Sequence, residues 1–277
     1  MAASPLVTTI IGSGAVRAHP TRGGAAFLVQ HAGRNLLFDC GRLAVHNLAR
    51  FGIPVEKIHG VFITHLHFDH ISDLPLLLLL SWNNGRKEHL PVCGPKGIAA
   101  FLEHGVRHAY AADIESRMKH SKKQIDGLLW DVNELTAEGI VDQTDGVVID
   151  TLITKHAGLL NFNFRLTLPG RKIVIMSDSE PDPRIVEFCR DADLMLVECS
   201  GTKEFYATQA WGGWHMTPED IGRITAEAGV RKVVLKHLVI ENFSPDPDVS
   251  EKMAAAVRAL HPKGEVVVAA DGMRFEL

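Results

Sequence analysis

Short apolar runs rich in Val, Ile, Leu and Phe recur along this chain, separated by Gly, Asp and Asn and by stretches of helical periodicity. Residues 6–11 predict a strand that ends at Gly12-Ser13-Gly14, and residues 25–30 and 35–38 predict two more around the turn His31-Ala-Gly-Arg34. A helix is expected over residues 43–51, stopped by Gly52. Val61-Phe62-Ile63-Thr64 reads as a buried strand, a helix begins near Leu74, Val92-Cys93 is a short strand, and residues 98–104 look helical. Strands return at 147–153, 162–168, 172–176 and 194–197. Thr217 as N-cap, Pro218 at the first position and Glu219-Asp220 in the first turn predict a helix to about Ala228, ended by Gly229. A strand at 232–235, a helix at 249–260 and a strand at 265–269 complete the pattern. Strands alternate with helices in both halves and no linker divides them, so the expectation is one α/β domain over 1–277, two packed mixed sheets with helices outside. Residues 105–146 differ, being polar and carrying the basic cluster Arg117-Met-Lys-His-Ser-Lys-Lys123; they read as a cap or lid, or as a solvated excursion.

The chemistry concentrates in His65-Leu-His-Phe-Asp-His70, directly after the strand ending at Thr64. In an extended segment residues two apart face one side, so His65 and His67 can enter one pocket. After a turn, Asp69 and His70 can serve a neighbouring position. Imidazole nitrogen and carboxylate oxygen are ligands for zinc, and also for iron or manganese. The hexad therefore suggests one metal on His65 and His67 and a second on Asp69 and His70; the plain alternative is a histidine-rich surface loop. Two ions need more ligands, and strand ends hold functional groups on a rigid scaffold. His156, Asp178 and His237 each stand just past an apolar strand. His215, before the N-cap Thr217, could be a ligand, a general acid or a packing residue, and Glu198 at the end of residues 194–197 could orient it or be an ordinary strand-end carboxylate.

Composition narrows the partners. The chain has 277 residues, 46 % hydrophobic, with a net charge of -4, so no global basic field recruits nucleic acid. Met1 to Val7 show no secretion signal, and the longest apolar stretch, residues 74–82, is too short to span a bilayer. The dispersed Cys40, Cys93, Cys189 and Cys199 read as reduced thiols of a cytoplasmic protein. Cys199 lies near candidate residues, but strand packing accounts for it.

The ordered set His65, His67, Asp69, His70, then His156, Asp178, His215-Met-Thr-Pro-Glu-Asp220 and Leu235-Lys-His237-Leu resembles the metallo-β-lactamase superfamily, and within it the ribonuclease Z and arylsulfatase-like branch. Asp39-Cys40-Gly41 and residues 90–97 also resemble that branch. The resemblance implies the metallo-β-lactamase αββα sandwich. It implies two divalent metal ions, Zn2+ before Mn2+ or Fe, the first on His65, His67 and His156, the second on Asp69, His70 and His237, with Asp178 between them. His215, supported by Glu198, and Asp69 are the expected catalytic residues. The implied activity is hydrolysis of a small ester (phosphodiester, sulfate ester, lactone or carboxylic ester) by a metal-bridging hydroxide. The tRNA-processing members carry a long arm between the third histidine and the bridging aspartate, whereas His156 and Asp178 are only 22 residues apart and read as a hairpin. Phe68 stands where the family often has a small residue. Both departures, with the acidic balance, make nucleic acid the less expected partner and a small-molecule ester the more expected one. A ribonuclease Z-like endonuclease and an iron-dependent redox enzyme are the rival readings, though His67 argues against the di-iron reductase form. Arg165 could bind an anion or make a structural salt bridge. Trp211 and Trp214 flank His215 and could line the pocket or pack in the core. A homodimer is common in the family and has no sequence signal here.

Overall fold

The computed structural model describes residues 5–277; residues 1–4, on which the reading of the amino terminus partly rests, lie outside them. Among the described residues the apolar runs become two seven-stranded sheets. The first holds β1 (Val7–Gly12), β2 (Ala26–His31), β3 (Arg34–Phe38), β4 (Gly60–Phe62), β5 (Leu90–Pro95), β6 (Trp130–Leu135) and, from the far end of the chain, the last strand, β14 (Arg274–Glu276). The second holds β7 (Ile140–Thr144), β8 (Val147–His156), β9 (Leu159–Leu168), β10 (Arg171–Ile175), β11 (Leu194–Glu198), β12 (Lys232–Lys236) and β13 (Glu265–Val268). Their orders are β14-β1-β2-β3-β4-β5-β6 and β13-β12-β11-β10-β9-β8-β7. Both sheets are mixed: β3, β4, β5 and β6 run parallel, as do β10 to β13, and the remaining pairs are antiparallel.

Side-chain parity explains the layering. In β11, Leu194 and Leu196 point between the sheets, while Met195 and Val197 point outward to helices. A strand covered on both faces has no polar alternation to display, which is why it reads as a continuous apolar run. Between the sheets Phe38 stacks on Phe62 at 4.9 Å, and Phe164 meets both edge-on at 5.5 and 5.8 Å. Outside the first sheet lie α1 (Ala44–Arg50), α2 (Phe68–Ile71), α3 (Leu74–Asn83), α4 (Ile98–Leu102) and α5 (Ala111–His120), whose apolar residues form one cluster with Leu37 and Ile63. Outside the second lie α6 (Arg184–Cys189), α7 (Lys203–Ala207), α8 (Pro218–Ala228) and α9 (Val249–Leu260). This is the αββα sandwich of the metallo-β-lactamase fold. α8 has the expected bounds: the Thr217 hydroxyl accepts from the Asp220 amide, Asp220 answers to the Thr217 amide, and Gly229 takes the left-handed conformation at φ 70°.

The polar segment 105–146 divides. Residues 130–135 and 140–144 are the edge strands β6 and β7, paired to β5 and β8, so the helical part before residue 129 and two short turns lie outside the sheets. The basic cluster has local work: Arg117 donates to Asp113 at 2.8 Å and to Asn83 Oδ1 at 2.7 Å, and Lys123 Nζ donates to the Asn83 carbonyl at 2.6 Å, capping the carboxyl end of α3. Cys199 packs in the outer core with its sulfur 4.0 Å from that of Met253. Arg165 pairs with Asp150, Nε to Oδ1 at 3.0 Å, and its guanidinium lies over the Phe188 ring, which is the structural alternative for that residue. No helix among the described residues is long and apolar enough to cross a membrane.

Candidate metal centre

The candidate residues gather at the carboxyl ends of strands from both sheets, where mixed α/β sheets place their ligands. The hexad follows β4, His156 ends β8, Asp178 follows β10, Glu198 ends β11 and His237 follows β12. β4 is shorter than the apolar run suggests. Ile63 still donates to the Cys93 carbonyl at 2.7 Å, and then Thr64 turns to Asp39, its amide and hydroxyl donating to Oδ1 and Oδ2 at 2.8 and 3.0 Å. Asp39 Oδ2 also lies 2.8 Å from His70 Nδ1. One buried carboxylate thus fixes both ends of the hexad.

Three imidazole nitrogens converge first: His67 Nδ1 lies 2.9 Å from His65 Nε2 and 3.3 Å from His156 Nε2. The far nitrogen of His65 meets the Thr64 and Ser177 hydroxyls at 3.0 and 3.2 Å, and that of His156 meets the Trp214 carbonyl at 3.2 Å, leaving each Nε2 directed inward. A second convergence adjoins it. His237 Nε2 lies 3.1 Å from both Asp69 Oδ2 and Asp178 Oδ2, and His70 Nε2 lies 3.8 and 3.7 Å from the same atoms. Asp178 Oδ2 is also 3.9 Å from His156 Nε2, so Asp178 faces both groups. His70 Nε2 and Asp178 Oδ1 are buried without a hydrogen-bond partner, an arrangement that costs free energy unless a cation completes it. The donor atoms of His65, His67 and His156, and those of Asp69, His70 and His237, each lie within 4.8 Å of one another and could hold an ion.

The electrostatics agree with that chemistry. Burial lowers His65, His67 and His156, keeping them in the neutral, ligating form. Burial would raise Asp69, but His70 and His237 outweigh it and hold the carboxyl down at about 2. Burial would lower His70, yet Asp39, Asp69 and Asp178 push it up to about 10. Asp69 and Asp178 face the Nε2 side of His70, and a cation in place of its proton there fits the same carboxylates.

His215 lies beside this centre, its ring 5.1 Å from that of His156 and stacked on Tyr206 at 5.9 Å. Its Nδ1 is 3.3 Å from Glu198 Oε2, an ion pair without well-directed hydrogen-bond geometry. Burial lowers His215, but the Glu198 carboxylate outweighs it and raises the group. The cleft above the centre is about 320 Å³ and is walled by Val16, Phe68, Trp211, Trp214 and Val239. Among the described residues no lysine or arginine lines it.

Several residues of the site carry no motif. Asn161 donates to the Asp178 carbonyl at 2.6 Å, and Asn163 accepts from the Ser177 amide at 2.8 Å. Two asparagines two apart inside an apolar strand are the available signal, since they share a face. Asp271 accepts from the Ser13 amide and hydroxyl at 2.9 and 2.7 Å, and Ser13 in turn accepts the His237 amide at 2.8 Å. Nothing near Asp271 in sequence announces this. Gly41 is required by close approach: a Cβ there would sit 1.9 Å from the Asp69 carbonyl oxygen. Gly41→Ala is expected to displace the hexad, lowering stability by at least about 1–3 kcal/mol in chemical denaturation and reducing bound metal in the folded fraction.

Fold and site together define a metallo-β-lactamase-fold enzyme of the ribonuclease Z-like branch, a hydrolase acting on ester bonds and furnished for divalent metal ions. The chain belongs to the family described as "Anti-Pycsar protein Apyc1", which matches residues 6–237. It is 30 % identical over 282 residues to the ribonuclease Z of Mycobacterium bovis (strain BCG / Pasteur 1173P2), covering 98 % of each chain. It is 28 % identical over 305 residues to that of Haloferax volcanii, covering 97 % of this chain and 94 % of the relative. Among solved structures, the metallo-beta-lactamase fold protein YhfI from Bacillus subtilis superposes with a TM-score of 0.77 at 24 % identity, covering 99 % of this chain and 100 % of that one. The human tRNase Z, short form, superposes with a TM-score of 0.74 at 23 % identity, covering 97 % and 98 %. These relatives run against the expectation that nucleic acid is an unlikely partner, and they favour the ribonuclease reading over the small ester.

Proposed function

We propose that this chain is a phosphodiesterase with a dinuclear metal centre, and that an RNA phosphodiester is its substrate class. The observation that carries the reading is Asp178, which faces two groups of ligand-type atoms with one carboxylate oxygen while the other lacks a partner. His65, His67 and His156 would hold one ion, Asp69, His70 and His237 the other, with Asp178 shared; zinc is the ion this donor set suits best. Bound divalent ions supply an activated water nucleophile and charge that relieves the phosphoryl oxygens.

The protein's own groups do the rest. Asp69 and Asp178, held ionised by the surrounding imidazoles, would offer carboxylate oxygens to the second ion. His215, raised by Glu198, donates a proton to the departing oxygen. Glu198 also accepts the Met216 amide at 3.1 Å, so the carboxylate behind His215 is fixed to the loop that carries it. The exposed rings of Phe68 and Trp214, 63 % and 42 % accessible, offer an apolar wall on which a base can stack. A wall without lysine or arginine suits a phosphodiester monoanion better than a doubly charged monoester.

The relatives named ribonuclease Z support RNA. A small nucleotide phosphodiester is the second reading, and one observation favours it. β9 passes to β10 through residues 169–170 alone, so no arm projects between His156 and Asp178. The experiment is cleavage of a precursor tRNA beside bis(p-nitrophenyl) phosphate, using zinc- and manganese-loaded protein. Cleavage of the RNA supports the first reading; turnover of the small diester alone supports the second; turnover of neither, with both metals bound, sinks the proposal. Trp214→Ala is expected to raise KM for a nucleotide substrate about tenfold, with little change in kcat, if the ring stacks on a base.

A further inference from the structure

Ser200 is fully buried two residues beyond Glu198, and its hydroxyl touches three atoms that matter. It lies 2.9 Å from His237 Nδ1, 3.0 Å from the His237 carbonyl oxygen and 3.0 Å from Glu198 Oε2. Its amide also points at Glu198 Oε2, at 3.3 Å, and its carbonyl accepts the Ile240 amide at 2.9 Å. The residue therefore wraps the turn that presents His237. That turn needs holding, because His237 is left-handed at φ 60°, a conformation unfavourable for a residue with a side chain.

Proton accounting gives the contacts a direction. His237 turns Nε2 toward Asp69 and Asp178; with an ion held there Nε2 would carry no hydrogen, and Nδ1 would carry it and donate it to Ser200 Oγ. The Ser200 hydroxyl has one proton and two acceptors at equal distance. The ionised Glu198 oxygen is the stronger acceptor. That same oxygen lies 3.3 Å from His215 Nδ1. A chain of contacts runs from His237 through Ser200 to Glu198 by hydrogen bonds, and from Glu198 to His215 by an ion pair.

We propose that Ser200 is a positioning residue that ties the second metal group to the proton donor: it fixes the ring of His237 for ligation and holds the Glu198 oxygen that supports His215. The inference rests on the reading of His237 as a ligand, but its test does not depend on the substrate. The full chain is stripped with chelator and equilibrated with zinc alone, and bound zinc is measured by plasma mass spectrometry across free-zinc concentrations. Wild type is expected to bind two ions. Ser200→Ala is expected to keep one at wild-type affinity and bind the other about 10–100-fold more weakly, the cost usual for losing a partner behind a ligand. With zinc saturating, kcat on bis(p-nitrophenyl) phosphate is expected to fall with KM unchanged, and Ser200→Thr, which keeps the hydroxyl, is expected to restore zinc affinity. If Ser200→Ala does not fold, Ser200→Cys takes its place, of similar volume with a weak S–H donor.

Wild-type zinc binding by Ser200→Ala overturns the inference, and so does an equal loss at both sites, which marks a merely structural role. A wild-type chain that binds two ions but cleaves no phosphodiester sinks the proposed function and leaves the Ser200 result to be judged on zinc alone. A wild-type chain that binds fewer than two ions sinks both.

Discussion

Asp178→Ala is expected to lower turnover of a phosphodiester by at least about 10³-fold and to reduce bound zinc from two ions per chain to one or fewer. The size follows from what the residue touches. Asp178 Oδ2 lies 3.1 Å from His237, 3.7 Å from His70 and 3.9 Å from His156, so its loss loosens both groups together. Metal chemistry supplies several kcal/mol of transition-state stabilisation, and each 1.36 kcal/mol is a factor of ten. Burial would raise the Asp178 carboxyl, yet His237 and His70 hold it well below the usual range, in the anionic form that a cation needs. Plasma mass spectrometry on the folded variant, beside an activity assay, checks both parts. Retention of two ions with near-normal turnover would show that Asp178 is an ordinary buried carboxylate.

His215→Ala is expected to behave differently: both ions stay, and kcat falls by about 10²–10⁴. His215 has no atom in either ligand group, but its ring lines the cleft and lies 5.1 Å from that of His156. Glu198→Gln should lower kcat in the same direction, because a neutral amide no longer supports the imidazolium. Substantial metal loss in His215→Ala would make the residue a ligand instead. Unchanged kcat would place it among the packing residues, with Tyr206 and Trp211.

The parts of this site that the sequence displays are those whose chemistry sits beside a regular element. The hexad stands out because four ligand-type residues are packed into six positions after a strand. Asp178 and His237 stand out because Ile173–Ile175 and Val233–Leu235, covered on both faces, end abruptly in a ligand-type residue. α8 and α9 could be bounded closely, α8 because its Thr-Pro start and Gly stop are local chemistry. Elements whose identity depends on distant partners were not legible. β7 is a polar edge strand with an exposed Ile140, and β14 pairs with β1 from the opposite end of the chain, Glu276 beside Val7. α5 buries Ile114 alone, so its apolar stripe is too thin to read. The positioning residues are harder still. Ser200 meets His237 across 37 residues and Asp271 meets Ser13 across 258, and neither contact leaves a periodic trace. The same logic explains why the substrate is less legible than the centre. Metal ligands must be of a few types at strand ends, whereas an apolar cleft wall such as Val16, Phe68 and Trp214 is assembled from three separate stretches of chain.

The proposed phosphodiester-cleaving centre needs two ions per chain. The most direct measurement strips the protein with chelator, returns zinc in steps, and follows bis(p-nitrophenyl) phosphate hydrolysis against zinc bound per chain. No turnover is expected at zero zinc, with activity rising to its plateau at two ions per chain and no recovery in Asp178→Ala. Full activity in the stripped protein, or a chain that holds two ions and leaves every phosphodiester offered intact, would contradict it.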